Sequence, residues 1–350
     1  MSGVFIRNVH MRFGRFVALE DVSLSVAPGE FVTLLGPSGC GKTTLLKIIS
    51  GFTVPTSGHI EIGGEDVTQV PPEKRDTALC FQSYALFPHL SVNDNLEFGL
   101  LNKGMARGER GQRIDEVAAQ LALELQLAKL PNQLSGGQQQ RVSLGRALAM
   151  RPKVLLFDEP LSNLDAKLRD QVRIEIRRIQ KSHALTAIYV THDQAEALAM
   201  SDRVVVMNAG RVEQVATPEE LYHAPRTSFV ADFIGNANVI DAAVLGEDKP
   251  GLWRLQTELG QLQARSAAPP RAKEIRICWR PEAAELDGTE AQSIEARLTH
   301  RSFQGHYTDL FLDKEGCEFR ILVPQVHADV GDLLRFTLAP EKIVLLEPVA

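Results

Sequence analysis

Along the first 235 residues, hydrophobic positions follow two rhythms in turn. The stretch "VSLSV" at 22–26 alternates with period two and stops at Pro28-Gly29, which predicts an antiparallel strand ending in a turn. "EFVTLL" at 30–35 is a continuous apolar run, as for a strand buried on both faces. "KTTLLKIIS" follows with helical spacing, and Gly51 is placed to cap it. "GHIEIGGEDV" reads as a hairpin about Gly63-Gly64. Three further apolar runs, "TALCF", "KVLLF" and "LTAIYV", read as strands, the last two separated by a helix from about Asp165 to Ser182. Strands alternating with helices predict a parallel sheet. Residues 84–150 are mostly helical in pattern, broken by a Gly- and Arg-rich stretch at 103–113, and "TPEE" at 217–220 opens another helix with Pro218 at its first position. After "FIGNANV" the rhythm changes to short strands, "RLQTELGQLQA", "EIRICWR", "TDLFLD", "CEFRILV", "LLRFTL" and "KIVLLE", separated by Gly, Pro and Asp. The expected organisation is an α/β domain over 1–235, with a helical part at about 84–150, and a small β-barrel over 236–350.

The chemistry sits where the apolar runs end. "GPSGCGKT", Gly36-Pro37-Ser38-Gly39-Cys40-Gly41-Lys42-Thr43, matches G-x-x-x-x-G-K-[ST] between a strand and a helix, the context that motif requires. Glycines let backbone N–H groups close on phosphate oxygens, and the helix N-terminus, with Thr44 in its first turn, adds positive potential. Lys42 is placed to reach the β- and γ-phosphates, Thr43 to ligate Mg²⁺, and Cys40 reads as a small filler. "VLLFDEP" ends in Asp158, suited to hold Mg²⁺, and Glu159, suited to activate a water. "TALCF" is followed by Gln82 and "AIYV", one residue later, by His192. In a parallel α/β sheet, ligands bind along the carboxyl edge of the strands. Gln82 is therefore expected near the metal and the water, and His192 near the γ-phosphate.

A second cradle appears in "LSGGQ", where Ser135 is a candidate N-cap and Gly136, Gly137 and Gln138 begin an apolar helical pattern. Its target is either this chain's own nucleotide or that of a second copy related by a twofold axis.

These motifs resemble the nucleotide-binding subunit of ATP-binding-cassette (ABC) transporters. The phosphate loop at 36–43, "LSGGQ" at 134–138, "VLLFDEP" at 154–160, "SNLD" at 162–165 and His192 occur in the family's order. The tail from about 240 resembles the TOBE barrel that ends importer ATPases for sugars, sulfate, ferric iron, phosphonates and polyamines. The resemblance implies a P-loop NTPase cassette with a RecA-like parallel core, an antiparallel β subdomain and a helical subdomain. It also implies a homodimer binding ATP and Mg²⁺, in which Ser135 and Gly137 contact the γ-phosphate held by the opposite subunit. Ser162, Asn163, Leu164 and Asp165 then cross the dimer interface. An aromatic near the N-terminus stacks on adenine: Phe13 is the first choice and Phe16 its rival. Two integral-membrane permease subunits are implied as partners, with a solute-binding protein acting indirectly. The chain is then peripheral, on the cytoplasmic face of the inner membrane. The stretch "SYALFPHLSVNDNL" after Gln82 faces the permeases, unless Tyr84 and Phe87 are ordinary core. "FQSYALFPHLSV" and "FIGNANV" look most like polyamine importers, with ferric iron, phosphonate and sulfate relatives beside them.

Composition narrows the alternatives. At 350 residues the chain has length for two domains, and a formal net charge of -6 argues against a nucleic-acid partner. No apolar run approaches the roughly 18 residues of a membrane span. Cys40, Cys80, Cys278 and Cys317 show no CxxC pairing and are expected as free thiols. A small-molecule kinase would share the phosphate loop but gives no reason for "LSGGQ". A soluble ABC ATPase of translation or DNA repair would carry two cassettes or a long coiled coil.

Overall fold

The structure, a computed structural model, describes residues 3–162, 164–286, 288 and 292–346. The chain divides into two compact units, 1–218 and 219–350.

In the first unit the continuous apolar runs become the middle of a sheet. Strands β1 (Val4–Phe13) and β2 (Phe16–Val26) form an antiparallel hairpin, and β3 (Phe31–Leu35) leads through the phosphate loop into α1 (Lys42–Ser50). Then follow β4 (Ser57–Ile62), β5 (Glu65–Asp66), β6 (Thr77–Cys80), α2 (Val92–Asn102), α3 (Arg107–Gln120), α4 (Gly136–Ala149) and β7 (Val154–Asp158). The unit continues with α5 (Ala166–Ser182), β8 (Thr186–Thr191), α6 (Gln194–Met200), β9 (Arg203–Asn208) and β10 (Arg211–Ala216). The main sheet has the order β10-β9-β3-β8-β7-β6, and a second sheet has the order β2-β1-β4-β5. From β9 to β6 the main sheet is parallel, and only β10 runs antiparallel to its neighbour.

Strand alternation splits the apolar residues of that sheet between two cores. Val32, Leu34, Leu156, Ile188 and Val190 join α1 and the β1–β2–β4 sheet. Phe31, Leu155, Phe157, Ala187 and Tyr189 face the helices α2 to α5. Every residue of β3 and β8 is buried, as a strand covered on both faces requires. The α1 helix stops at Gly51, whose φ of 86° is a left-handed cap. Arg75, itself buried, finishes that end by donating to Ile48 O and Ile49 O at 2.7 Å each.

The second unit opens with two short helices, α7 (Pro218–His223, its first residue at the division) and α8 (Ser228–Phe233). Strands β11 (Asn238–Lys249), β12 (Leu252–Thr257), β13 (Gly260–Arg265), β14 (Glu274–Trp279), β15 (Ala284–Leu286), β16 (Ser293–Phe303), β17 (Thr308–Lys314), β18 (Cys317–Val323), β19 (Leu333–Leu338) and β20 (Val344–Leu346) follow. They form two five-stranded sheets, β13-β12-β11-β14-β20 and β15-β19-β16-β17-β18, around one core that includes Trp279, Phe319 and Phe336. The unit therefore starts earlier than the change of composition near 236. Arg280 ties the helices to β14: its guanidinium stacks on Tyr222 and donates to Tyr222 O, Ala231 O and Ile234 O.

The structure adds strands that the apolar pattern did not announce: β1, β9, β10, β11, β15 and β16. β1 breaks register three times against β2, so its alternation is lost in the sequence. Among the described residues no helix is long and apolar enough to cross a membrane, and the four cysteines are free and buried.

Candidate functional site

The phosphate loop connects the carboxyl end of β3 to α1. Its glycines meet local steric demands. A Cβ on Gly36 would lie 2.3 Å from Met207 O, and one on Gly41, at φ +105°, would lie 2.7 Å from Ala18 O. Gly41 is the N-cap of α1 and brings no side chain to the first-turn N–H groups, which leaves an anion cradle at the helix start. Lys42 is buried, and its ammonium donates to Gly36 O at 2.7 Å and to Pro37 O at 2.9 Å, with Cys40 Sγ at 3.7 Å. The cation is thereby held inside the loop rather than in solvent.

Beside the loop, the Thr43 hydroxyl donates to Asp158 Oδ1 at 3.1 Å. These are two hard oxygen donors at the mouth of a phosphate cradle, a set that suits Mg²⁺. Burial pushes the Asp158 carboxyl above its usual range, and the neighbouring Glu159 adds to this; Thr43, Lys47 and Lys42 pull it down. A cation placed there favours the charged form.

The next residue turns away. Glu159 has φ 46°, a left-handed backbone for a non-glycine residue, and its N–H donates to Val190 O at 3.0 Å. Its carboxylate Oε2 lies 3.2 Å from His192 Nδ1. Gln82 Nε2 donates to Ser162 Oγ at 3.2 Å, and that hydroxyl donates to Glu159 O at 3.0 Å. Gln82, Glu159 and His192, expected along one strand edge, are thus joined in a single polar chain through Ser162, which was expected in the interface segment instead.

"LSGGQ" forms the start of α4. Ser135 is its N-cap in a reciprocal capping box: its Oγ accepts from Gln138 N at 3.4 Å, and its N–H donates to Gln138 Oε1 at 3.0 Å. Ser135 and Gly136 are exposed, whereas Gly137 is buried. A Cβ on Gly137 would come within 2.9 Å of Leu168, and one on Gly136 within 3.5 Å of Leu164, so this helix start rests on the segment that begins α5. Asp165 is the N-cap of α5, accepting from Leu168 N at 3.0 Å. Asn163 lies outside the described residues.

Phe13 and Phe16 pair across the tip of the β1–β2 hairpin and are 53% and 62% exposed, so neither is a core residue. Tyr84 is buried, whereas Phe87 is half-buried against Phe98, with ring centroids 4.4 Å apart.

The sequence did not point to a second polar cluster directly behind His192. Glu196 is 4% exposed and accepts from Tyr189 Oη and Thr191 Oγ1, both at 2.8 Å. Arg169 faces it at 3.8 Å. Burial pushes the Glu196 carboxyl above its ordinary value of 4.5, and Asp193 adds to this; Thr191, Tyr189 and Arg169 oppose it. A raised folded-state pKa means stability that is present below 4.5 and is lost as pH rises from there through the folded value. Glu196→Gln, which cannot ionise, is therefore expected to gain melting temperature relative to the native chain as pH rises from about 4 toward 7. Parallel melting curves for the two proteins across that range would refute the assignment.

A phosphate loop, a strand-end Asp-Glu pair and a histidine on the same sheet edge define a P-loop ATPase, and the exposed glycine-rich start of α4 sets it apart within that class. The comparisons agree. The family model "ABC transporter" matches residues 19–162, and "TOBE domain" matches residues 277–346. The chain is 47% identical over 340 residues to an Fe(3+) ions import ATP-binding protein, FbpC 1, of Rhizobium meliloti (strain 1021), covering 94% of this chain and 95% of that one. It is 48% identical over 306 residues to a spermidine/putrescine import ATP-binding protein, PotA, of Pseudomonas aeruginosa (strain UCBPP-PA14), covering 87% and 83%. Among solved structures, it resembles cbiO1 of Clostridium perfringens, part of the ABC transporter complex cbiONQ, with TM-score 0.58, 28% identity, and coverage of 62% of this chain and 89% of that one. It also resembles a dimeric post-hydrolysis state of the ATP-binding cassette MJ0796 bound to ADP and Pi, with TM-score 0.54, 33% identity, and coverage of 61% and 98%. The chain belongs to the ABC transporter family, as an ATP-binding subunit with a C-terminal TOBE domain, and it is an ATPase.

Proposed function

We propose that this chain powers uptake of a cationic solute, ferric ion or a polyamine, as the paired ATPase subunit of an importer. It works at the cytoplasmic face of the inner membrane against two permease subunits, and a solute-binding protein acts indirectly. The polar chain Gln82–Ser162–Glu159–His192 beside Thr43–Asp158 carries this reading, because it gathers the proposed base, its histidine partner and two oxygen donors for a cation at the phosphate loop. The loop amides of 36–44 cradle the phosphates of ATP, and Lys42 supplies fixed positive charge. Thr43 and Asp158, together with Gln82, would hold Mg²⁺, which offsets charge on the phosphoryl oxygens when bound. Glu159 accepts the proton of the attacking water, and His192 orients it and the γ-phosphate. Phe13 stacks on adenine, with Phe16 beside it at the hairpin tip. Ser135, Gly136, Gly137 and Gln138 close over the nucleotide of the opposite copy, and Ser162, Asn163, Leu164 and Asp165 line the seam. Dimer closure is the step passed to the permeases, and hydrolysis reopens it.

The solute is recognised by other chains. The Fe(3+) relative matches over more of both chains, and the spermidine/putrescine relative has one point more identity over less. The test is ATPase rate in vesicles holding the full transporter, with binding protein loaded with Fe³⁺ or with spermidine. Stimulation by one of them names the solute. Stimulation by neither removes the cationic assignment.

A further inference from the structure

His192, proposed to orient the γ-phosphate, and the proposed seam residues Ser162, Leu164 and Asp165 are 27 or more residues apart in sequence, yet one guanidinium bonds both to Leu164 and to Asp193 beside the histidine. Arg169 lies in the first turn of α5. Its Nη2 donates to Leu164 O at 3.1 Å, fixing that carbonyl just ahead of α5. Its Nη1 donates to Asp193 Oδ2 at 3.4 Å. Its Nε lies 3.8 Å from Glu196 Oε1, buried and without a hydrogen-bond partner. The two carboxylates are anchored in turn. Asp193 is the N-cap of α6, with Oδ1 accepting from Ala195 N at 2.8 Å and Glu196 N at 3.2 Å. Glu196 accepts from Thr191, whose Oγ1 also accepts from Asp193 N at 3.0 Å. Both residues flanking His192 are therefore fixed, and Arg169 connects that fixed frame to Leu164. A cavity of about 50 Å³ separates the groups and is lined by Glu159, Ser162, Arg169, His192, Asp193 and Glu196, with Thr191 at its wall. That is room for one water among polar partners.

We propose that Arg169 is a positioning residue for hydrolysis: it ties Leu164, in the proposed seam, to the turn that carries His192, and so holds the histidine within reach of Glu159. The inference rests on the proposed roles of His192 and the seam loop. Charge alone does not meet this need. Two hydrogen-bond acceptors, Leu164 O and Asp193 Oδ2, and the Glu196 carboxylate 3.8 Å from Nε lie around one guanidinium, an arrangement that suits the planar fork of an arginine, whereas a lysine ammonium offers one point.

The experiment compares Arg169→Ala, Arg169→Lys, Arg169→Ala/Glu196→Gln and His192→Ala in the full chain. ATPase kcat and KM are read beside melting temperature and binding of a fluorescent ATP analogue. Arg169→Ala is expected to lower kcat about 10²-fold, as a misplaced reacting group does, with KM and analogue binding nearly unchanged. Arg169→Lys should recover melting temperature and leave kcat low. The double variant removes the more buried of the two carboxylates that lose the arginine, Glu196, so it should also recover melting temperature with kcat still low. If Arg169→Lys or the double variant recovers kcat together with melting temperature, Arg169 only neutralises a buried charge and the proposal falls. It falls too if Arg169→Ala turns over at the native rate while His192→Ala does not. If His192→Ala itself keeps the native rate, the prior assignment of His192 has failed instead.

Discussion

Replacing Glu159 by Gln leaves a protein that binds ATP as the native chain does and hydrolyses it about 10²–10⁴-fold more slowly, the usual weight of a positioned general base. The substitution keeps the side-chain shape and the left-handed backbone at this position, so stability changes little. The amide still reaches His192, whose Nδ1 lies 3.2 Å from Glu159 Oε2 in the native arrangement, but it takes no proton from water. With hydrolysis blocked, the closed state persists, and size-exclusion chromatography should show a dimer that requires ATP. Turnover near the native rate would place the base elsewhere on the edge.

Ser135→Arg should be nearly as severe by another route. Ser135 is exposed at the start of α4, and its hydroxyl is engaged only locally, in the capping box with Gln138. Losing that cap costs about 1 kcal/mol, too little to unfold a domain of this size. A bulky cation at the proposed seam blocks closure, so ATPase activity disappears while a dilute monomer binds ATP as before. Mixing this variant with Lys42→Ala chains, also inactive alone, gives pairs in which one phosphate loop and one facing signature are both intact. Activity should return in the mixture. Loss of ATP binding by the Ser135→Arg monomer, or a mixture that stays silent, would place the signature over its own chain's nucleotide.

The sequence showed these groups because each follows a continuous apolar strand. A fully buried strand can bring charge only at its end, and so Gly36, Gln82, Asp158 and His192 stood out. The hairpin was legible from the turn dipeptide Gly63-Gly64, and the helix from about Asp165 to Ser182 from its place between two apolar strands. Strands with bulges were not. β1 loses period two at each register shift, and β11 passes from buried alternation to a polar half around Gly246. Arg169 was the hardest to see. It is one of several arginines in the charged sequence "AKLRDQVRIEIRRIQ", and the acceptors that distinguish it arrive from Asp193 and Glu196, after an intervening strand. The start of the second unit was also hidden, because the residue that anchors its helices, Arg280, follows them by dozens of positions.

The φ of 46° at Glu159 has a consequence for engineering. Such a conformation costs a residue with a β-carbon about 1–3 kcal/mol, which glycine does not bear. Screens that select this ATPase for heat resistance alone should therefore drift toward glycine at position 159 and collect rugged proteins that cannot fire. Selection must couple survival to solute uptake to keep the acid in place.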